Sequence, residues 1–273
     1  SAELDAFFQK SGLKRTVANY TIKWLTDWVR EYGVDGFRCD MAHLVPLDFW
    51  VDARTKCDAV KPLFWLAECD VMEYHKVFDV SYAWEWMQIT EQMVKKSLPL
   101  QTKRDVLLKY SQYPKGANKL FFTSNHDENS WNGTEYEKYG AASKAMAVFT
   151  CTWPGMPLVY SGQELPNHKR LKFFEKDEIS KEKGKMFSVY EKLGALKNNN
   201  PALNGGKNPA SYTRLTTSAD DKILAFEREK DGKKVIFIAN LSNETVQSTI
   251  NLNGNFKIYL SKQADGMIGQ KIQ

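Results

Sequence analysis

Trp24-Leu25-Thr26-Asp27-Trp28-Val29-Arg30-Glu31-Tyr32-Gly33-Val34-Asp35-Gly36-Phe37-Arg38-Cys39-Asp40 decides the fold. It completes a run in which Val17, Tyr20, Trp24, Leu25, Trp28, Val29 and Tyr32 recur three or four apart, the spacing of a helix. Gly33 stops that helix, because glycine adopts a left-handed cap at little cost. Val34 to Cys39 reads as a strand, with Asp40 at its carboxyl end.

The same order repeats downstream. Asp48 to Val60 reads as a helix, with Pro62 beyond its end, and Leu63 to Ala67 as a short apolar strand leading into Glu68. Val77 to Tyr82 reads as a weaker strand, followed by helical patterns near 84–97 and 102–112. Leu120 to Ser124 reads as a strand ending in Asn125-His126-Asp127. Residues 139–152 read as a helix, Pro157 to Ser161 as a strand and Met186 to Lys197 as a last helix. Strand then helix, about five times over, predicts parallel βαβ packing. After Asn198-Asn199-Asn200-Pro201 the pattern becomes all-β. Ile223 to Glu229 and Lys234 to Asn240 flank Asp231-Gly232, a hairpin signal, and Val246 to Leu252 and Phe256 to Leu260 flank Asn253-Gly254. Residues 1–200 therefore read as an α/β domain and 201–273 as a small antiparallel β domain.

Length agrees: 273 residues, at roughly 150 per domain, predict about two domains. Hydrophobic residues at 42% can bury a core, which excludes disorder as the main state. The longest apolar runs, such as Met156 to Tyr160, are too short for a membrane span. The 38 basic and 33 acidic residues interleave, so the net charge of +5 describes a solvated surface and predicts no nucleic-acid partner. Cys39, Cys57, Cys69 and Cys151 form no C-x-x-C pair and read as buried thiols.

Three predicted strands end in acid: Asp40, Glu68 and Asp127. Carboxyl ends of parallel strands gather on the face that hosts active sites. Lone acids at strand ends are ordinary helix caps; three in order, with Arg38 on the same side of its strand as Asp40, point to chemistry. Glycoside hydrolysis uses such a set: one carboxylate attacks the anomeric carbon, a protonated one assists the leaving oxygen, and negative charge steadies an oxocarbenium-like transition state. An arginine beside Asp40 keeps it ionised and aimed.

The motifs resemble those of the alpha-amylase family of glycoside hydrolases. Val34-Asp35-Gly36-Phe37-Arg38-Cys39-Asp40 looks like its fourth-strand motif, Ala67-Glu68 like the fifth, and Phe121-Phe122-Thr123-Ser124-Asn125-His126-Asp127 like the seventh. Gly155-Met156-Pro157-Leu158-Val159-Tyr160-Ser161-Gly162-Gln163-Glu164 resembles the eighth-strand segment, and Leu193 to Leu203 the last barrel helix and its exit. The resemblance implies a partial (β/α)8 TIM barrel, strands four to eight, followed by the small β domain. It implies Asp40 as nucleophile, Glu68 as general acid and then base, and Asp127 as the third acid, gripping sugar hydroxyls. Arg38 would orient Asp40, and His126 would bond the sugar in the cleaving subsite. It implies a retaining reaction on α-linked glucans such as starch or maltodextrin; a transglycosylase or isomerase on the same acids, or a non-catalytic carbohydrate-binding relative, are the alternatives.

Two departures matter. Many amylases place a Lys-His pair three and four residues after the nucleophile; here His43 and Leu44 stand there. His43 is therefore read as a polar contact near the substrate, with calcium unsupported and no organic cofactor implied. Trp131, after Asp127, and Tyr82 and Trp84 read either as sugar platforms or as packed rings. The first three barrel strands also have no counterpart, so the resemblance implies a fragment, inactive alone and self-associating through open sheet edges.

Overall fold

The structure, a computed structural model, describes residues 2–261 apart from 97, 166 and 253. Two compact units divide between Tyr82 and Ala83.

The first unit opens with α1 (Ala2–Ser11) and α2 (Val17–Tyr32). Thr16 caps α2 by accepting from the Asn19 N–H at 3.1 Å, and Gly33 closes it at φ 68°. Strands β1 (Gly36–Cys39), β2 (Phe64–Ala67) and β3 (Val80–Tyr82) follow, with α3 (Leu47–Asp58) crossing from β1 to β2. The strands are parallel, in the order β1-β2-β3. Gly36 is required by close approach: a Cβ there meets the Phe64 carbonyl oxygen at 2.1 Å. Ile22 and Val29 of α2 join Trp50, Trp65 and Phe78 in the core. The aromatic stripe of α2 does not: Tyr20, Trp24, Trp28 and Tyr32 are exposed, with Trp28 and Tyr32 rings 4.8 Å apart. Among the described residues β1 pairs only with β2, and a recess of about 300 Å³ at this edge is lined by Asp35, Gly36, Phe37, Arg38, Phe64 and Leu66.

The second unit carries α4 (Trp84–Lys96), α5 (Leu100–Ser111), β4 (Asn118–Phe121), α6 (His126–Trp131), α7 (Glu135–Tyr139), α8 (Ser143–Thr152), β5 (Met156–Pro157) and α9 (Lys185–Asn199). β4 and β5 pair in parallel. The helix expected over 139–152 breaks at Gly140, whose φ of 49° ends α7 before α8 starts. The strand expected over 157–161 shrinks to the β5 pair. Strands β6 (Ser211–Leu215), β7 (Ile223–Lys230) and β8 (Lys233–Asn240) form an antiparallel sheet. Asp231 and Gly232 turn the β7–β8 hairpin at φ 52° and 71°.

The second expected hairpin is absent among the described residues: 246–260 carries one bridge, Thr217 with Ile250, and Asn253 lies outside the description. Burial and side-chain bonding win over ladder pairing there. Leu260 packs against the buried cluster that Ala147 and Cys151 of α8 form with Val189, Tyr190 and Leu193 of α9, and the Tyr259 hydroxyl donates to the Lys192 carbonyl at 3.2 Å. The antiparallel sheet shares its core with α8 through Phe149, Phe226 and Phe237. Buried Arg228 of β7 donates to the carbonyls of Thr152 and Asn204 at 3.1 and 2.7 Å. This common packing joins the antiparallel sheet to α8 within the second unit.

Candidate active site

In the first unit, the ends of β1 and β2 are laced together beyond their ladder. The Glu68 N–H donates to the Cys39 carbonyl at 2.9 Å, and the Ala42 N–H to the Glu68 carbonyl at 3.2 Å. This fixes Asp40 and Glu68 as neighbours. Arg38 then serves both. Its Nη1 donates to Asp40 Oδ1 at 2.5 Å, and its Nη2 lies 3.0 Å from Glu68 Oε1, a charge contact off the hydrogen-bond direction. Strand alternation, which places residues 38 and 40 on one side, produces the first contact.

Tyr82 holds the arginine from behind. Arg38 Nε donates to the Tyr82 hydroxyl at 3.3 Å, and the guanidinium carbon lies 5.5 Å from the ring centre. Burial pulls the guanidinium toward deprotonation, but Tyr82, Asp40 and Glu68 outweigh it and raise its pKa. Tyr82 is buried, so it packs beneath the arginine and is not a sugar platform.

Met41 completes this arrangement. It adopts φ 40°, ψ 43°, a left-handed conformation unfavourable for its side chain, and its N–H donates to Glu68 Oε2 at 2.8 Å. Glu68 is thereby held at both oxygens. His43 follows in a short 3-10 turn with its side chain exposed; its carbonyl, together with that of Val45, accepts from the Tyr74 hydroxyl. Cys39 is buried, and burial, partly opposed by Arg38, pushes its thiol up to about 12, which leaves it unreactive at neutral pH.

In the second unit, Asn125 caps α6 by accepting from the N–H groups of Asp127 and Glu128 at 3.0 and 2.8 Å. The cap places His126 and Asp127 in the first turn, with His126 Nε2 3.4 Å from Asp127 Oδ2. Trp131, four residues after Asp127, lies on the same side of the helix and is 58% exposed. Trp84 packs edge-on against Phe122. Sequence reasoning missed three contributors: Met41, whose conformation no motif signals; Tyr82 as the support of Arg38; and Asn125 as a cap, legible as Asn followed by an acid-rich turn. No group of three or more His, Cys, Asp or Glu that could hold a metal ion occurs among the described residues. No helix among them is long and apolar enough to cross a membrane.

Comparison with known proteins gives consistent relatives. Residues 216–273 match the family described as alpha amylase, C-terminal all-beta domain. An alpha-amylase of Haloarcula japonica is 24% identical over 218 residues, covering 77% of this chain and 32% of the relative. A cyclomaltodextrinase of Thermoanaerobacter pseudethanolicus is 26% identical over 270 residues, covering 87% and 42%. Among solved structures, a noncanonic maltogenic alpha-amylase from Thermotoga neapolitana superposes with a TM-score of 0.78 at 26% identity, covering 89% of this chain and 57% of that one. The chain thus spans less than half of those two sequence relatives and a little over half of the solved one.

Proposed function

We infer, for a chain that is a relative of the alpha-amylases and cyclomaltodextrinases, that it is the acid-bearing part of a glycoside hydrolase acting on α-linked glucans with retention of configuration. The observation that carries this reading is the shared guanidinium. Arg38 touches Asp40 at 2.5 Å and Glu68 at 3.0 Å, so the two carboxylates face one point. A retaining mechanism wants such a pair, about 5–5.5 Å apart.

Asp40, 77% exposed at the side chain and aimed by Arg38, attacks the anomeric carbon and forms the glycosyl-enzyme. Glu68, held at both oxygens and nearly buried, protonates the leaving oxygen and then draws the proton from water. Asp127, with His126 beside it, takes the role of gripping sugar hydroxyls, and His43 and Trp131 that of flanking contacts. The domain reading, 1–200 catalytic and 201–273 accessory, belongs to the same proposal.

The chain alone turns over little or no substrate, because contacts from a complete barrel are needed to hold the sugar for attack. Its α2 stripe and β1 edge bind a second copy.

The test is turnover of maltoheptaose by a longer protein carrying this segment. Asp40→Asn, Glu68→Gln and Asp127→Asn each lower kcat by several powers of ten with the fold intact. Retention of more than about a tenth of the rate after Asp40→Asn removes the nucleophile assignment. Sugar binding without turnover in the unaltered protein points instead to a non-catalytic relative.

A further inference from the structure

Between β5 and α9 the described residues of 158–184 carry no regular helix or strand. Excursions of this length are uncommon in compact domains and are often functional. This one is pinned to α6 and α7. The Leu171 N–H donates to Asn129 Oδ1 at 2.9 Å, and the Ser130 hydroxyl donates to the Leu171 carbonyl at 2.7 Å. Arg170 reaches Glu137 at 3.2 Å and the Trp131 carbonyl at 3.3 Å. Beyond the pin, Asp177 accepts from the Lys172 N–H at 3.0 Å and from Lys169.

Between these anchors the loop presents two aromatic rings outward. Phe174 is 84% exposed and Phe173 39%. They lie 4.8 Å apart, and their ring centres are 6.3 and 5.3 Å from Trp131. Trp131 shares its side of α6 with Asp127. Three rings, two of them largely in water, thus continue outward from a carboxylate.

We propose that Trp131, Phe173 and Phe174 form a stacking platform for successive hexose rings of an α-glucan whose hydroxyls are gripped at Asp127. The proposal rests on the hydrolase reading and extends it to a binding subsite. The mixed chemistry selects the ligand. A hexose has an apolar face of C–H groups, which lies flat on aromatic rings, and a rim of hydroxyls that need partners. Polar groups adjoin these rings: Asp127 stands one helical turn before Trp131, Arg170 donates to the Trp131 carbonyl at 3.3 Å, and Lys172 precedes Phe173 in the chain. A purely apolar occupant would leave them unused. The anchoring bonds hold the rings ready, so binding costs little ordering of the loop.

The test is calorimetric or NMR titration of the 273-residue chain with maltoheptaose. Phe174→Ala removes no buried packing and weakens binding about tenfold, Phe173→Ala weakens it by a smaller factor, and Phe174→Tyr retains it. Tyr32→Ala, at another exposed aromatic, leaves it unchanged. Affinity unaltered by Phe174→Ala, or no binding by the unaltered chain at millimolar sugar, overturns the platform. So does a Phe174→Ala variant that loses self-association and keeps sugar binding, since the rings then cover a second copy. Turnover of maltoheptaose by the longer protein carrying this segment, measured beside its sugar affinity, separates this from the reading beneath it. Rate lost in Glu68→Gln with sugar affinity indifferent to Phe174 refutes the platform alone. Rate kept in Glu68→Gln with affinity dependent on Phe174 refutes the hydrolase assignment and leaves a glucan-binding surface.

Discussion

Arg38 lies between two carboxylates of opposite exposure, Asp40 at 77% and Glu68 at 7%. The exposed pair contributes little to stability, because water screens it and holding two side chains costs entropy. The nearly buried contact matters through what its loss leaves behind. Arg38→Met strands the Glu68 carboxylate with the Met41 N–H as its remaining partner at that site and lowers unfolding stability by about 3 kcal/mol. Asp40→Asn stays within roughly 0.5 kcal/mol of the unaltered protein. Urea midpoints at neutral pH check both. An Arg38→Met protein as stable as the original shows that the guanidinium does not anchor Glu68. The local sequence announced Arg38 and Asp40 through alternation; it gave no hint that Tyr82 and Met41, distant or conformationally unusual, complete the cluster.

At the scale of elements, α7, α9 and the strand ends of the second unit meet in a buried polar chain. Tyr190 of α9 donates to Glu135 of α7 at 2.8 Å, and Gln163 donates to the Tyr190 hydroxyl at 2.5 Å and to Thr123 at 2.8 Å. Burial pushes the Glu135 carboxyl up to about 8, against the pull of Tyr190 and Gln163. Tyr136, Tyr139 and Cys151 lie near it as well, each driven by burial toward its neutral form. The folded protein therefore keeps the Glu135 proton up to about pH 8, whereas the unfolded chain releases it near 4.5. Folding takes up a proton in that window, so this group's contribution falls as pH rises from 4.5 through 8 and is level above. Glu135→Gln removes the titration. Its stability at pH 9 exceeds that of the unaltered protein by on the order of a few kcal/mol, and the two converge near pH 5. Urea melts across pH 5–9 measure this; parallel curves for the two proteins would mean that Glu135 is ionised when folded.

For the whole molecule, the α2 stripe dominates. Val17, Tyr20, Trp24, Trp28 and Tyr32 follow one another at helical spacing and all are exposed, while Ile22 and Val29 face the core. Soluble monomers rarely expose a patch of that kind, and among the described residues β1 offers an unpaired edge in the same unit. At about 25 cal/mol per Å², covering a few hundred Å² is worth on the order of 10 kcal/mol before association costs. The expected outcome is dimers or larger species in dilute solution, with Trp24→Lys and Trp28→Lys together returning the chain to a monomer. Light scattering decides: a stable monomer of the unaltered chain contradicts the association.

Sequence by itself determined the order of parallel strand and helix, the βαβ class, the Asp231-Gly232 hairpin and the acids that end the strands. Each of these follows from short-range physics: apolar period, glycine in left-handed turns and side-chain alternation along a strand. Only tertiary structure decided which side of α2 packs, because its apolar residues encircle most of the helix and the period alone does not choose between them. Tertiary structure also decided that 246–260 forgoes its hairpin, since Leu260 buries itself on α8 and α9. It decided that Tyr82 lies under Arg38 and that Phe173 and Phe174 gather on Trp131. These outcomes depend on contacts between residues far apart in the chain, or on competition between burial and pairing. A local pattern carries neither.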